Sequence, residues 1–407
     1  MFFRLNPETR LVSGAKNGVV YDFLDNDMYD LTSEEKSILE LTEKNTEIKQ
    51  VSAELGIPEV SVIEIVKKFK EKNLGEFYEK PPYIEPLCVN PPLSGKGFYD
   101  AAPQFTNLFL ELNNECQFDC VYCGTLKRVF GCIGCHVWDG HNNSLEKNSC
   151  ISILDQAHKL GMRTVFLSGG NVLQDIDMLS AVLDHCETLH FPVFLTCHEH
   201  YVDLNTVNFL NHYKNLTIFL NCNFPVSSQA LEIAGSVQCN LTLVPVVDVT
   251  TMSTEEVIET IQHEHEKVRT KVNWQIDYCS SDFRRDYSKI PLFGKERVKN
   301  ATLQFFEQCQ EYYPCLGGIL SVSSDGNVYV CRIMREKSLG NVLDMSLSEI
   351  VRNRRKEIKK FWNVTRDTIV PCGDCEYRYS CMDCRAIEED VYQTTLCHYN
   401  PHAGEWE

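Results

Sequence analysis

Between Thr106 and Cys279 the chain alternates two kinds of pattern. Short runs dense in β-branched, leucine and aromatic residues fall at 107–112, 163–167, 193–196, 216–221, 241–247 and 273–278. Stretches with apolar residues three and four positions apart lie between them, at 151–160, 178–189, 206–213 and 255–267. Strands alternating with helical stretches predict an α/β chain with a parallel sheet and helical crossovers. The first five intervals are too regular for a structureless linker. Six units fit a partial (β/α)6 TIM-like barrel, and in such barrels the chemistry sits at the C-terminal strand ends.

Residues 1–80 follow a different rhythm. Asn17-Gly18 and Asp25-Asn26-Asp27 punctuate short strands at 11–12, 19–24 and 28–31, and helices are predicted at 33–42, 47–55 and 59–73. Thr32 or Ser33 can cap the first helix and Thr46 the second. Three strands and three helices predict a small, separate, winged-helix-like module. Residues 81–104, with Lys80-Pro-Pro-Tyr-Ile-Glu-Pro86 and then Pro91-Pro92, predict a stiff linker. Winged helices often bind DNA, but residues 1–100 hold 12 Lys and Arg against 18 Asp and Glu, a net of −6. DNA affinity rests on neutralising phosphates, so nucleic acid is not the expected partner.

Composition sharpens the picture at one point. Twenty cysteines in 407 residues are several times what packing requires. The chain opens without a sustained apolar run or a small-residue cleavage site, and no stretch approaches the length of a membrane span. A cytoplasmic location is therefore expected, and cysteines there point to metal rather than disulfides. The net charge of −18 suits a soluble, self-repelling protein.

The cysteines fall in two arrays. Glu115-Cys-Gln-Phe-Asp-Cys-Val-Tyr-Cys-Gly124 places Cys116, Cys120 and Cys123 at C-x3-C-x2-C spacing on one short loop. An iron–sulfur cube normally takes four cysteines, so a compact three-cysteine loop leaves one iron open. Zinc sites usually build on C-x2-C pairs, which this is not. The second array holds Cys309, Cys315 and Cys331, then Cys372-x2-Cys375-x5-Cys381-x2-Cys384, and Cys397. An Asp325-Gly326 turn between short apolar strands folds Cys315 and Cys331 back towards each other.

The first loop closely resembles that of radical S-adenosylmethionine (SAM) enzymes, in which SAM occupies the open iron of a [4Fe–4S] cluster. Cys315-x10-Gly326-x4-Cys331, Gly340-Asn341-Val342 and the cysteine-rich tail resemble the SPASM extension of that family. The resemblance implies a radical SAM barrel over residues 105–300 and two auxiliary [4Fe–4S] clusters over 301–407. Carried over by position, one cluster uses Cys309, Cys315, Cys331 and Cys384, and the other Cys372, Cys375, Cys381 and Cys397. The Cys381–Cys384 and final gaps are shorter than usual in the family. A zinc site at Cys372, Cys375, Cys381 and Cys384 is the competing reading.

The same resemblance implies where SAM binds. Tyr122 lies near the adenine, and Ser168-Gly169-Gly170-Asn171 stands where the family has Gly-Gly-Glu at the methionine amine. Asn171 in place of glutamate removes a charge. Asn221 and Asn223 are candidates for the ribose hydroxyls. Cys197-His198-Glu199-His200 ends the third strand and reads as a solvated loop. Gly131-Cys132-Ile-Gly-Cys135-His136 imitates a haem-attachment signature that requires export; it reads either as a metal-binding or redox loop or as a structural pair. Cys88, Cys150, Cys186, Cys222, Cys239 and Cys279 read as small apolar side chains, with Cys279 a weak catalytic candidate.

Taken whole, the chain resembles a radical SAM/SPASM maturase of a ribosomally synthesised peptide. The resemblance implies reductive SAM cleavage to a 5′-deoxyadenosyl radical and an oxidoreductase that forms a thioether or a carbon–carbon crosslink. The N-terminal module would recognise a leader peptide as an added strand. Implied partners are the precursor peptide and an electron donor such as flavodoxin or ferredoxin. Two alternatives stay open: a sulfatase-type, formylglycine-forming maturase, and a non-catalytic iron–sulfur sensor coupled to DNA through the winged helix.

Overall fold

The N-terminal module is built from β1 (Phe2–Leu5), β2 (Thr9–Ser13), β3 (Gly18–Asp22), β4 (Asp27–Leu31), α1 (Ser33–Thr42), α2 (Ile48–Leu55), α3 (Glu59–Glu71) and β5 (Gly75–Tyr78). The computed structural model describes residues 1–89, 105–120, 122–124, 127–138, 142–251, 256–257, 259–260, 263 and 272–407. β2, β3 and β4 form an antiparallel meander, and β1 pairs antiparallel with β5. That last pair escaped the pattern, because four residues show too little alternation and the partner strand lies some seventy positions away. Thr32 caps α1 in a reciprocal capping box with Glu35. Thr46 does not cap α2; its N-cap is Glu47, without a side-chain bond.

The module does not stand apart as expected. Its outer face, with Val12, Val19 and Tyr21, packs against Phe306, Cys309, Tyr377 and Tyr399. The Ala15 and Lys16 amides donate to the carbonyls of Asp374 and Pro401, at 2.8 and 3.2 Å. Tyr377 donates to Asp30 across the same seam, at 2.8 Å.

The central sheet follows the predicted alternation: β6 (Asn107–Glu111), β7 (Lys127–Arg128), α4 (Lys147–Lys159), β8 (Thr164–Ser168), α5 (Ile176–Thr188), β9 (Val193–His198), α6 (Leu204–Leu210), β10 (Leu216–Asn223), α7 (Ser228–Ser236) and β11 (Asn240–Asp248). The sixth predicted strand is broken into β12 (Asn273–Trp274) and β13 (Asp277–Ser280), both parallel to β11. β6, β8, β9, β10, β11 and β13 are neighbours in that order, all parallel. The predicted helix at 255–267 lies largely outside the described residues, as does the linker expected at 81–104, of which residues 81–89 are described.

Alternate residues of each strand face the helices, as the two-residue period requires. Leu108, Leu110, Val165, Leu167, Leu195, Ile218 and Leu220 are buried with Ile153, Leu154, Leu179, Val182 and Leu210. The opposite face carries a ladder of stacked rings, Phe109, Phe166, Phe194 and Phe219, with centroids 4.3, 4.7 and 5.7 Å apart.

The predicted hairpin extends this same sheet. β14 (Ile319–Val322) runs parallel to β6, and β15 (Asn327–Tyr329) and β16 (Gly340–Asn341) follow antiparallel. Gly326 holds the turn at φ 84°, where an added Cβ would lie 2.7 Å from Asn341 Oδ1. The cysteine-rich region is thereby joined to the first strand. Among the described residues the strand path runs from β16 to β7 without closing on itself. No helix among them is long and apolar enough to cross a membrane.

Candidate metal centres

The loop after β6 brings Cys116, Cys120 and Cys123 around one hollow, which Cys135, His136, Gly170, His198 and Tyr201 also line. The Cys123 amide donates to the Cys120 carbonyl at 2.9 Å, curling the loop. A hydrogen bond between the two thiols holds Cys123 down at about 6 and pushes Cys120 up. A thiol held near neutrality supplies the thiolate that a metal requires. Tyr201 fixes the loop's start: its hydroxyl lies 3.1 Å from Cys116 Sγ and accepts from the Gln117 amide at 3.1 Å.

The two glycines after β8 have a local reason to be there. A Cβ on Gly170 would sit 2.2 Å from the Glu115 carbonyl oxygen, and one on Gly169 2.5 Å from the Asn113 oxygen. Their close neighbour is thus the backbone leading into the cysteine loop. Asn171 belongs to the same seam: its amide donates to Glu115 O at 2.6 Å, and its side-chain oxygen accepts from the Leu173 amide at 3.1 Å. That oxygen serves the following turn, not the hollow.

Asn221 and Tyr122, also expected to contact SAM, are buried. Asn221 is fully buried; its side-chain oxygen accepts from Arg128 at 2.8 Å and its amide faces the carbonyls of Ile133 and Phe219. It braces Arg128. Tyr122 is buried among Val246 and Cys279, with Arg128 5.1 Å from its ring centre. Cys279 is buried, and desolvation pushes its thiol up to about 12, which suits packing better than catalysis. Cys88 is exposed rather than packed.

The His198-Glu199-His200 segment is not the solvated loop expected. His198 and Glu199 are buried, and only His200 is exposed. Phe118 of the cysteine loop stacks on His200 at 3.8 Å and lies 6.1 Å from His198. Glu199 accepts from the Asn223 amide at 3.2 Å and from the Ser227 hydroxyl, which ties it to the start of α7. Burial, with His200 and Arg128 nearby, holds His198 down at about 3, as a neutral imidazole.

The C-terminal thiols separate into two groups. Cys372, Cys375, Cys381 and Cys397 all line one cavity, together with Arg297 and Arg366. Four thiols around one hollow, with two buried guanidiniums to offset thiolate charge, fit an anionic cluster. Cys384 is not among them. It packs against the apolar cluster that includes Ile387 and against which Phe130 also packs. The cavity thus takes in three of the four cysteines of the zinc grouping, with Cys397 in place of Cys384.

Cys309 lies where the cysteine-rich region meets the N-terminal module. It packs with Tyr21 and Phe306 on the seam with the N-terminal module, and Arg366 lies 4.0 Å from its Sγ. The thiol charge acting on it is that of Cys381. Cys315, in contrast, feels Cys384, Cys331 and Cys132.

Residues 314–376 match the SPASM family model, an iron–sulfur cluster-binding domain. The match takes in Cys315, Cys331, Cys372 and Cys375. No curated protein sequence matches the chain. Among solved structures, SuiB of Streptococcus suis bound to S-adenosylmethionine is 13% identical, with a TM-score of 0.48 over 98% of this chain and 100% of that one. SuiB bound to its precursor peptide SuiA is 14% identical, with a TM-score of 0.49 over 98% and 100%. BtrN in an open conformation is 12% identical, with a TM-score of 0.33 over 67% and 92%.

Several residues that shape these centres carry no signal in sequence spacing. Arg332 is fully buried; its Nε donates to Glu111 at the end of β6 at 2.8 Å, and its Nη1 reaches the carbonyls of Gly131, Cys132 and Gly134. Arg128 pairs with Asp277 at 2.6 Å, both buried. Asp383 gathers Arg366 at 2.8 Å, Arg297 at 3.6 Å and Arg385. Their one sequence signal is adjacency: Arg332 stands next to Cys331, and Asp383 and Arg385 flank Cys384.

Proposed function

We propose that the chain is a radical SAM/SPASM enzyme that cleaves SAM reductively and modifies a ribosomally synthesised peptide. The observation that carries this reading is the hollow ringed by Cys116, Cys120 and Cys123 at the C-terminal ends of parallel strands. The four-thiol cavity in the cysteine-rich region supports it. When bound, a [4Fe–4S] cluster with SAM supplies one-electron cleavage of a sulfonium and a carbon-centred radical able to take a hydrogen atom. The chain's own part is to orient and to exclude water. Tyr201 and the Gly169-Gly170 seam fix the cysteine loop, and the Phe118–His200 stack covers one side of it. Held geometry lowers the barrier by supplying orientation in advance.

We read the sheet as a partial barrel and residues 1–80 as a winged-helix-like leader-binding module. Among the described residues β4 pairs only with β3, which leaves its other edge for an added peptide strand. A thioether from a peptide cysteine is the first expectation for the product, and a carbon–carbon crosslink the second. Anaerobically reconstituted protein, given SAM and a strong reductant, should release 5′-deoxyadenosine. Replacing Cys116, Cys120 and Cys123 with Ala should abolish it. A short peptide encoded beside the enzyme should change in mass by loss of two hydrogens. Zinc in the cysteine-rich region, or no 5′-deoxyadenosine from iron-loaded protein, would overturn the reading.

A further inference from the structure

We propose that Cys132, rather than Cys309, is the fourth ligand of the auxiliary cluster held by Cys315, Cys331 and Cys384. The inference rests on the iron–sulfur reading above and changes which part of the chain holds the cluster. Cys132 lies nine positions after Cys123, in the short turn Gly131–Ile133, far in sequence from the other three.

Three packing observations bring these cysteines together. Arg332, next to Cys331, lies 3.3 Å from the Cys132 carbonyl oxygen and 3.4 Å from that of Gly131, so the turn is pinned on the Cys331 segment. Phe130, just before the turn, shares an apolar cluster with Cys384. Cys331 packs with Tyr313 and Leu316, which flank Cys315. The turn is held from its other side as well: the Arg128 guanidinium packs directly on Gly134, 2.2 Å from where a Cβ would lie.

Cys309 instead packs with Val12, Val19 and Tyr21 of the N-terminal module, and Arg366 approaches its sulfur at 4.0 Å. Cys135, three positions beyond Cys132, lines the hollow of the first cysteine loop. One short turn would then span both centres, so the catalytic loop and the auxiliary cluster cannot shift independently.

The test uses the full chain carrying Cys116, Cys120 and Cys123 as Ala, reconstituted anaerobically so that about eight irons report the auxiliary clusters alone. Adding Cys132→Ala should either remove about four irons or leave one iron with a distinct Mössbauer signature. Adding Cys309→Ala should leave iron content and spectrum unchanged. Cys132→Ser, which keeps size and hydrogen bonding, should shift the electron paramagnetic resonance of one reduced cluster. A spectrum unchanged by both Cys132 variants overturns the proposal, as does a loss on Cys309→Ala equal to that on Cys132→Ala. Absence of 5′-deoxyadenosine from otherwise wild-type protein would instead count against the enzyme reading, and would leave this assignment to be decided by the iron signatures.

Discussion

Glu111→Ala should be among the most destabilising single changes on the sheet. Glu111 is 1% exposed at the end of β6 and is the partner of three groups. Arg332 donates to it at 2.8 Å, the Trp138 indole at 2.9 Å, and Arg335 pairs with its second oxygen while lying 3.8 Å over the Trp138 ring. Removing the carboxylate strands the Arg332 guanidinium, whose side chain is fully buried. Breaking a buried pair in this way costs about 3–5 kcal/mol, or two to four decades in the folding equilibrium. Arg335 is partly exposed, so its share is screened and adds little. Urea unfolding of the cluster-free chain measures the loss, and a fluorotryptophan resonance from Trp138 reports whether it is local. Arg332→Met in both backgrounds closes a cycle whose coupling should exceed about 1 kcal/mol. The exposed Lys67–Glu71 pair is the control and should contribute under about 0.5 kcal/mol. A loss below about 1 kcal/mol on Glu111→Ala would refute the view that this carboxylate joins the first strand to the cysteine-rich region.

The other predictions concern separate elements. Burial pushes the Asp383 carboxyl up, but Arg385, Arg366 and Arg297 outweigh it and hold the group well below the usual carboxylate range. Its stabilisation is therefore complete above the unfolded carboxyl pKa of about 4 and is lost as pH falls further, a dependence that Asp383→Asn should remove from acid unfolding curves. Gly170→Ala should displace the Glu115 backbone and lower iron loading of the first loop without changing that of the C-terminal region, measured by iron content with the other cysteines intact. Tyr201→Phe removes one hydroxyl from Cys116 and the Gln117 amide; it should cost about 1 kcal/mol and slow 5′-deoxyadenosine release, with the fold unchanged by circular dichroism.

What was legible in the sequence divides by the range of the interaction. The six sheet segments and α1 with its Thr32–Glu35 box depend on neighbours a few positions away, and each was placed within a few residues. The break at Gln275–Ile276 and the β1–β5 pair depend on partners tens to hundreds of positions off, and no local pattern carries them. The same holds at the candidate centres. The grouping of Cys372, Cys375, Cys381 and Cys397 followed from family resemblance, and the cavity brings those four together. Asn221 read as a ligand group because its strand end was right, but a strand end does not reveal that Arg128 takes its oxygen. Cys309 was expected as a ligand from family resemblance, and its packing with Tyr21 of the N-terminal module depends on a contact hundreds of positions away.

The buried arginines explain how a chain of net charge −18 can surround so many thiols. A cube held by four thiolates is anionic, and burying uncompensated charge is expensive. Surface acids and lysines cannot offset it through solvent, since water screens them. The compensation is local. Arg332 and Arg385 head the largest fully buried side chains, and both stand next to cysteines of the C-terminal region. Arg128 acts on Cys123 and Cys135, Arg332 touches the turn of Cys132, and Arg297 and Arg366 line the four-thiol cavity. Each guanidinium also has an acidic partner: Asp277, Glu111 or the shared Asp383. Such pairs fix where the positive charge stands before any metal enters. Arginine suits this role and lysine does not, because a rigid fork can satisfy a carboxylate with some donors and face sulfur or carbonyl groups with the rest.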